Sequence, residues 1–293
     1  MQKQKVIVIL GPTATGKSNL AVKIAKKIDG EVISADSRQI YKGLDIGTGK
    51  ITKKEMKGVP HHLLDVTNPK RKFTVAEYQK LTNSAIAEIV NKGKIPIICG
   101  GTGFYIDAIT KGIIFPEVPP NSKLHKKLYS KSVIVLFEYL KKLDPRRAKD
   151  IKNKNEQNNK VRIIRAIEIA KALGKVPQLK YDTSSARAES VSSYKFIKIG
   201  LYLSPDKLKK KIEKRVKKMF KDGLLNEIKK LKKSGISKKR LKELGFEYDS
   251  PTYEKVVRET IKYTKRQMTW FKRDKEIRWI NVSEKVAFKE ILY

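Results

Sequence analysis

The sequence predicts an α/β protein, in which a parallel sheet is flanked by helices and interrupted by a helical insertion. Apolar runs of strand length lie at residues 6–10, 31–34 and 95–99, and helix-like segments such as 75–91 separate them. Strands that alternate with helices are typical of right-handed crossovers, which build parallel sheets. Two further strands are predicted at 195–203 and 276–282.

The stretch 115–194 interrupts this strand pattern. Pro116, Pro119 and Pro120 open it, and helical periodicity follows over 136–143 and 161–173. Residues 181–194, rich in Ser, Ala and charge, are typical of a mobile linker. We therefore predict a core formed by 1–114 and 195–293, which ends in a long helix over 252–273, and a helical insertion domain at 115–194.

A phosphate loop is predicted at residues 11–18, Gly-Pro-Thr-Ala-Thr-Gly-Lys-Ser, directly after the first strand and before the amphipathic segment 19–28. The residues match GxxxxGK[ST], in which backbone N–H groups curl around an anion, Lys17 supplies a point charge and Ser18 offers a hydroxyl to Mg²⁺. The predicted core is therefore P-loop NTPase-like. The pattern indicates phosphate binding without saying which reaction follows.

Two more polar loops follow predicted strands. Asp36 comes after the second strand, and Thr102 lies among three glycines after the strand that ends at Cys99. Because the carboxyl ends of parallel strands converge on one crevice, both are expected near the phosphate loop. Asp36 could hold Mg²⁺, act as a base or cap the turn before Ser37. The glycines would let the backbone approach a ligand closely, with one hydroxyl facing it.

The net charge is strongly positive. The chain has 67 Lys and Arg against 30 Asp and Glu, a balance of +37. Residues 205–240 contain 16 of the basic residues and 4 of the acidic ones, which favours a basic surface that tracks a nucleic-acid backbone. A solvated helix face, or the lysine enrichment of heat-adapted proteins, would also explain the pattern.

Several classes are excluded or disfavoured by composition. One cysteine, Cys99, rules out an intrachain disulfide and a zinc finger or ribbon. We expect His61 and His62 to end a strand and bond locally rather than to bind a metal. There is no apolar run of 18 residues and no secretory pattern at residues 1–10, so we predict a soluble, cytoplasmic protein without membrane partners.

A series of six motifs occurs in one order along the chain. They are GPTATGKS (11–18), VISADSRQIYKGLDIGTGK (32–50), GVPHHLLD (58–65), GGTGFYIDA (100–108), RAIEI (165–169) and YTKRQMTWFKR (263–273). The series resembles the tRNA dimethylallyltransferases, also called tRNA isopentenyltransferases, over nearly the whole chain. The resemblance implies transfer of a dimethylallyl group from dimethylallyl diphosphate to N6 of the adenosine 3′ of the tRNA anticodon, with release of diphosphate. It also implies a monomer.

The resemblance assigns chemical roles to residues of this chain. Asp36 is implied as the base that takes the N6 proton, Thr102 as a hydrogen-bond partner of the leaving oxygen and Lys17 as a catalytic cation. The implied diphosphate site is the loop with Mg²⁺ on Ser18 and an arginine fork from Arg215. The loop residues are Gly11, Pro12, Thr13, Ala14, Thr15, Gly16, Lys17 and Ser18.

The resemblance also implies contacts with the tRNA anticodon stem-loop. These residues are Asp36, Ser37, Arg38, Gln39, Thr102, His125, Val161, Arg162, Ile163, Ile164, Arg165, Lys265, Arg266 and Gln267. Two positions depart from the family pattern, because Val161 replaces a glutamine and His125 replaces a common arginine. Trp270 fits either aromatic support for a phosphate-binding face or ordinary core packing.

Three other functions share some of these features. A small-molecule P-loop kinase would leave the charge and the insertion unexplained. An isopentenyltransferase that acts on free adenine nucleotides would use the same donor and loop, with less need for a basic chain. A non-catalytic RNA-binding protein with a vestigial loop has no reason to keep Lys17, Ser18, Asp36 and Thr102 together.

Overall fold

The central feature of the fold is a parallel sheet. In the computed structural model, which describes residues 3–119, 121–178 and 193–283, the sheet has six strands in the order β3-β2-β4-β1-β5-β6, and every neighbouring pair is parallel. The strands are β1 (Gln4–Leu10), β2 (Gly30–Ala35), β3 (His61–His62), β4 (Ile95–Gly100), β5 (Tyr194–Tyr202) and β6 (Arg278–Asn281). The predicted α/β class with a parallel sheet is confirmed.

Twelve helices accompany the sheet within the described residues. They are α1 (Lys17–Ile28), α2 (Lys53–Met56), α3 (Val75–Asn91), α4 (Gly103–Thr110), α5 (Ser122–Tyr129), α6 (Val133–Leu143), α7 (Pro145–Asn153), α8 (Lys160–Leu173), α9 (Pro205–Lys221), α10 (Leu224–Lys233), α11 (Lys238–Leu244) and α12 (Tyr253–Phe271). Helix α3 begins at a capping box, in which Thr74 and Glu77 satisfy each other's backbone N–H groups.

Both faces of the sheet are covered. On β1, Val6, Val8 and Leu10 pack in one apolar cluster with side chains of α3, α4 and α12. Ile7 and Ile9 point to the other face and pack with α1. Because successive strand residues face opposite sides, a run of five apolar residues is what a strand buried on both faces requires. The carboxyl ends of β1, β2 and β4 are thereby fixed next to one another.

The chain divides into two compact units, Met1–Gly112 with Asp182–Tyr293, and Ile113–Tyr181. The first contains the sheet. The second is formed by α5 to α8 around its own apolar cluster, which includes Leu136, Leu140 and Ile167. Among the described residues, none of the helices has the length and apolar character needed to span a bilayer.

The elements differ from the sequence prediction mainly where they are short. The strands predicted at 195–203 and 276–282 are confirmed as β5 and β6, and the helix predicted over 75–91 is confirmed as α3. Strand β3 has only two residues. Helices α5 and α7 are short and charged, and they begin after the N-cap residues Asn121 and Asp144. These elements contain too few apolar positions to be detected from hydrophobic periodicity. Most of the predicted linker, 181–192, lies outside the described residues.

Candidate active site

The phosphate loop joins the end of β1 to the start of α1. Gly11 has φ 136°, and a Cβ there would lie 2.4 Å from the carbonyl oxygen of Leu201 in β5, so only glycine fits. Ala14 and Gly16 also have positive φ, 69° and 89°. These turns bring the loop to the amino end of α1, where the helix dipole favours an anion.

Lys17 is the first residue of α1, and its Nζ donates to the carbonyl oxygen of Pro12 at 2.6 Å. Burial, together with the neighbouring charge of Arg215, lowers the pKa of Lys17 to about 8, although Cys99 and Asp36 act in the opposite direction. An anion bound in the loop would stabilise the protonated form of Lys17. The loop, Arg215 and Asp36 therefore belong to one electrostatic site.

Asp36 follows β2 and has two distinct carboxylate oxygens. Its Oδ1 accepts the backbone N–H groups of Arg38 at 2.9 Å and Gln39 at 3.4 Å, so the capping role considered from the sequence is present. Its Oδ2 has no hydrogen-bond partner among the described residues. One oxygen thus fixes the turn while the other is available to accept a proton.

Thr102 fastens the third polar loop to the second. Its backbone N–H donates to Ala35 O at 3.1 Å, and its Oγ1 accepts the backbone N–H of Ser37 at 3.0 Å. The same hydroxyl donates to Ser37 Oγ at 3.3 Å. A threonine hydroxyl donates one hydrogen bond. To donate to a leaving oxygen, the Thr102 hydroxyl would have to break its hydrogen bond to Ser37 Oγ.

Arg215 projects from α9 and bonds to a carbonyl rather than to a carboxylate. Its Nη2 donates to Thr48 O at 2.8 Å, and no acid pairs with it among the described residues. Gly49 has φ 57°, and a Cβ there would lie 2.2 Å from Arg215 Nη2. Burial lowers the pKa of Arg215, but a guanidinium stays protonated in proteins, so its charge is available to an anion.

Thr13 of the phosphate loop, Asp36 and Arg215 line one pocket in the sheet-containing unit. Its lining combines two arginines, two carboxylates and three apolar or aromatic side chains. The lining residues are Thr13, Asp36, Arg38, Thr48, Arg215, Met219, Phe246, Glu247, Thr260 and Tyr263. A ligand with an anionic end and an apolar end fits such a lining.

Arg38 forms one wall of this pocket together with residues that sequence reasoning missed. Its Nη1 lies 2.6 Å from Glu247 Oε2, and its guanidinium lies 5.1 Å from the ring centroid of Phe246 and 5.6 Å from that of Tyr263. Burial raises the pKa of Glu247, although Arg38 counteracts it. Phe246 and Glu247 lie outside the six motifs, and Tyr263 begins the last of them without having been assigned to the site. Only the structure brings these three residues to the pocket.

Gln267 does not lie where it was expected. The sequence placed it on a tRNA-contacting face, but its side chain is buried, 5% exposed, and joins two loops of the site. Its Oε1 accepts the backbone N–H of Thr13 at 2.9 Å, and its Nε2 donates to Gly101 O at 2.8 Å. Lys265 and Arg266 are exposed, as expected of nucleic-acid contacts.

A sequence signal for Gln267 exists in hindsight. Val256, Thr260, Thr264, Gln267 and Phe271 form the buried stripe of α12 at helical spacing. Polar residues at core spacing are unusual and indicate buried hydrogen bonds. Trp270, by contrast, has the packing role.

The Trp270 indole lies against α4. A Cβ on Gly103 would lie 2.3 Å from its ring, and its Nε1 donates to Asp107 Oδ2 at 3.1 Å. The ring also packs against the apolar cluster of the sheet. Trp270 therefore fixes α12 against α4. This contact helps to position Gln267, on the same helix, for its hydrogen bonds to Thr13 and Gly101.

Replacing Gln267 with Leu should destabilise the protein and loosen the phosphate loop. The change leaves the Thr13 N–H and the Gly101 carbonyl without partners, and each unsatisfied buried group costs about 1–3 kcal/mol. Urea unfolding should show a loss of roughly 2–4 kcal/mol. The matched control is Lys265→Ala, an exposed change on the same helix, which should stay within about 0.5 kcal/mol of the parent. Equal stability of the two variants would contradict the linking role.

Comparisons with known proteins show the family of this chain. A family model described as IPP transferase matches residues 39–274. The chain belongs to the IPP transferase family. Among curated members, the tRNA dimethylallyltransferase of Halothermothrix orenii is 41% identical, with 95% of this chain and 88% of the relative covered. That of Bacillus subtilis is 37% identical, with 97% and 93% covered.

Solved structures of the IPP transferase family also share the fold. The tRNA isopentenylpyrophosphate transferase of Bacillus halodurans is 35% identical, with a TM-score of 0.67 and coverage of 98% of this chain and 93% of that chain. A eukaryotic dimethylallyltransferase described as acting on tRNA is 27% identical, with a TM-score of 0.73 and coverage of 95% and 74%.

In the helical unit of this family member, the run Val161–Arg165 cannot act as one tRNA-contacting segment. Ile163 and Ile164 have 0% exposed side chains in the core of that unit, because consecutive residues of a helix point in different directions. This corrects the expectation for both isoleucines. Val161 is 61% exposed, and Arg162 pairs with Glu156.

His125 and Arg165 are joined by a carboxylate that the sequence did not single out. Glu168 is buried, and its Oε1 lies 2.9 Å from His125 Nδ1 while its Oε2 lies 3.2 Å from Arg165 Nη1. Arg165 also donates to Val118 O at 2.6 Å. Within the helical unit, Glu168 therefore fixes the two predicted tRNA-contacting side chains together.

His61 and His62 bond locally, as expected. His61 Nδ1 lies 2.9 Å from Val59 O, and His62 Nε2 lies 2.7 Å from the buried Glu31 carboxylate. No group of three or more His, Cys, Asp or Glu side chains suited to a metal occurs in the described part of the chain.

Proposed function

We propose that this IPP transferase family member moves a dimethylallyl group from dimethylallyl diphosphate to N6 of the adenosine 3′-adjacent to the tRNA anticodon, releasing diphosphate. The observation that carries the proposal is the pocket that Thr13 of the phosphate loop, Arg215 and Asp36 line together. The names of the curated relatives, tRNA dimethylallyltransferases, support the same reaction class.

The donor fits the pocket at both of its ends. The loop amides, Lys17 and Arg215 provide the positive potential that a diphosphate needs, and Arg215 forms no ion pair with an acid among the described residues. Met219, Phe246 and Tyr263 offer apolar surface to the five-carbon group. Charge that develops on the leaving diphosphate is stabilised by groups that are already oriented.

The alkyl transfer needs a base because the exocyclic amine of adenine is a weak nucleophile. The N6–C1 bond forms as the C1–O bond breaks, the oxygen leaves with its electron pair as diphosphate, and the N6 proton passes to Asp36 Oδ2. Asp36 is suited to this step since its Oδ1 is held by two backbone N–H groups, while its Oδ2 has no hydrogen-bond partner in the part of the chain that the structure describes. Ser37, Arg38 and Gln39 continue the same turn toward the acceptor.

Mg²⁺ fits the oxygen groups of this site. Mg²⁺ keeps few protein ligands and binds substrate phosphates through hard oxygen atoms. The Ser18 hydroxyl at the exposed start of α1, next to the loop, would hold it together with the donor oxygens. Bound there, Mg²⁺ would supply positive charge to the departing diphosphate.

The tRNA affinity should depend steeply on salt, and part of that dependence should come from α10. Lys229, Lys230, Lys232 and Lys233 are exposed and line one shallow surface depression. Each lysine that neutralises a phosphate contributes about 0.7–0.9 to the slope of log K against log salt. Changing all four to Gln should lower that slope by roughly 3, measured by fluorescence anisotropy.

The matched control changes four exposed lysines of α1 and α2, Lys23, Lys26, Lys53 and Lys54, to Gln. This control should leave the slope unchanged. An equal reduction in both variants would mean that total charge, rather than the α10 face, sets the salt dependence.

The direct test incubates the protein with radiolabelled dimethylallyl diphosphate, Mg²⁺ and an unmodified anticodon stem-loop, followed by nucleoside analysis. Label on the adenosine 3′ of the anticodon supports the proposal. A stem-loop with guanosine at that position should remain unlabelled. Label on AMP but not on RNA, or transfer of phosphate from ATP, would instead support the nucleotide isopentenyltransferase or the kinase.

A further inference from the structure

Glu227, on α10, has a buried carboxylate that does not line the pocket. Its Oε2 accepts the backbone N–H groups of Asp45 at 2.9 Å and Ile46 at 2.7 Å, and its Oε1 accepts the N–H of Gly47 at 3.0 Å and the hydroxyl of Tyr248 at 2.9 Å. Three successive amides around one anion form a nest. Since both oxygens are satisfied, the carboxylate fixes residues 45–47 as a unit.

The residues that follow this unit touch Arg215 directly. Thr48 O accepts Arg215 Nη2 at 2.8 Å. On one side, a Cβ on Gly47 would lie 2.6 Å from the Tyr248 hydroxyl, and on the other a Cβ on Gly49 would lie 2.2 Å from Arg215 Nη2. Residues 47–49 therefore pack closely between the side chains of Tyr248 and Arg215. A shift of residues 45–47 would displace the Thr48 carbonyl that orients Arg215.

The orientation of Arg215 depends on that carbonyl more than is usual for a buried guanidinium. Among the described residues no carboxylate pairs with it, and its one protein acceptor is Thr48 O. A carbonyl orients the guanidinium without cancelling its charge, which a diphosphate ligand needs. Because a carbonyl of the loop is its acceptor, the position of the Arg215 guanidinium depends on how firmly residues 45–47 are held.

We propose that Glu227 is a positioning residue for diphosphate binding, which holds residues 45–47 so that the Thr48 carbonyl directs Arg215 into the pocket. The inference rests on the proposed function, because it takes the ligand to be the diphosphate of the donor. Glu227 contacts neither substrate nor reacting atoms. Its effect on diphosphate binding passes through Arg215. An experiment that also changes Arg215 therefore separates this effect from a general loss of protein stability.

The test is a double-mutant cycle on the binding of inorganic diphosphate with Mg²⁺, measured by titration calorimetry. Glu227→Gln keeps the size of the side chain but turns an amide N–H₂ toward backbone donors, and should weaken diphosphate binding about tenfold. Arg215→Ala should weaken it at least as much. The double variant should bind no more weakly than Arg215→Ala alone, because Glu227 has no further path to the ligand. Affinity for tRNA should stay within about twofold.

Two other variants keep the result interpretable. Glu243→Gln, an exposed change on α11, is the matched control and should leave diphosphate affinity unchanged. Tyr248→Phe removes one of the four hydrogen bonds to Glu227 and keeps the charge, so it should weaken diphosphate binding less, in the same direction, even if Glu227→Gln fails to fold.

Losses that add in the double variant would overturn the inference, as would unchanged affinity in Tyr248→Phe or in a folded Glu227→Gln protein. Absence of diphosphate binding by the parent protein would overturn the proposed function, and with it the inference. That result is read before any variants are compared, so the two failures are distinguishable.

Discussion

Asp36→Asn should lower kcat for prenyl transfer by about 10²–10⁴-fold, the usual contribution of general base catalysis, while tRNA affinity stays near that of the parent. An asparagine Oδ1 can still accept the backbone N–H groups of Arg38 and Gln39, so the turn keeps its cap. What is lost is the oxygen that takes the N6 proton. Single-turnover kinetics with saturating donor and stem-loop measure the effect.

Asp36→Ala separates the two roles of this residue. It removes the cap as well as the base, so it should lose the same catalytic factor and also destabilise the protein by about 1 kcal/mol. Asp29→Asn, an exposed aspartate just before β2, serves as the matched control and should behave like the parent. Near-normal turnover by Asp36→Asn would remove Asp36 as the base.

Lys17→Met should reduce kcat/KM for dimethylallyl diphosphate by about 10²–10³-fold, a loss typical of removing one preorganised charge from a developing oxyanion. The Lys17 ammonium lies where the loop, Arg215 and Asp36 meet. Its removal should leave tRNA binding intact, because the loss concerns the diphosphate. Steady-state kinetics with varied donor measure it, and Lys23→Met, exposed on the same helix, is the matched control.

The pH profile provides an independent check on Lys17. Burial lowers its pKa to about 8 in the free protein. The charged form binds diphosphate, so kcat/KM for the donor should fall as pH rises through about 8. At saturating donor, kcat should hold to higher pH, because bound diphosphate stabilises the ammonium. A parent profile that stays flat through pH 9, or one identical to that of Lys17→Met, would contradict this assignment.

The sequence was sufficient to predict the three loops of the site because each follows a strand and contains glycine or a turn-forming polar residue. The phosphate loop, Asp36 and Thr102 occupy the carboxyl ends of β1, β2 and β4, which are neighbours in the sheet. Because these three strands are parallel neighbours, loops that are far apart in the sequence lie close together in space. The parallel topology was therefore nearly sufficient to predict that the three loops form one site.

The supporting residues could not be predicted in the same way. Gln267, Glu227 and Glu247 lie on or beside C-terminal helices and act on loops that are about 170–250 residues earlier in the chain, as the pairs Gln267–Thr13 and Glu227–Gly47 illustrate. No local pattern encodes such a partner. Ile163 and Ile164 were wrong as tRNA contacts for a related reason, since a motif copied as a block ignores which helix face is buried.

The hydrogen bond between Gln267 and the Thr13 N–H has a consequence for the order of events during synthesis. The two residues are 254 positions apart, so at about 5–20 residues per second the ribosome makes Gln267 roughly 13–50 s after Thr13. Until α12 packs against the sheet, the phosphate loop of a nascent chain lacks its hydrogen bond to the Gln267 side chain. Maturation of the donor site is thereby tied to completion of the polypeptide, and a chain terminated before α12 would retain the recognisable motif without its support.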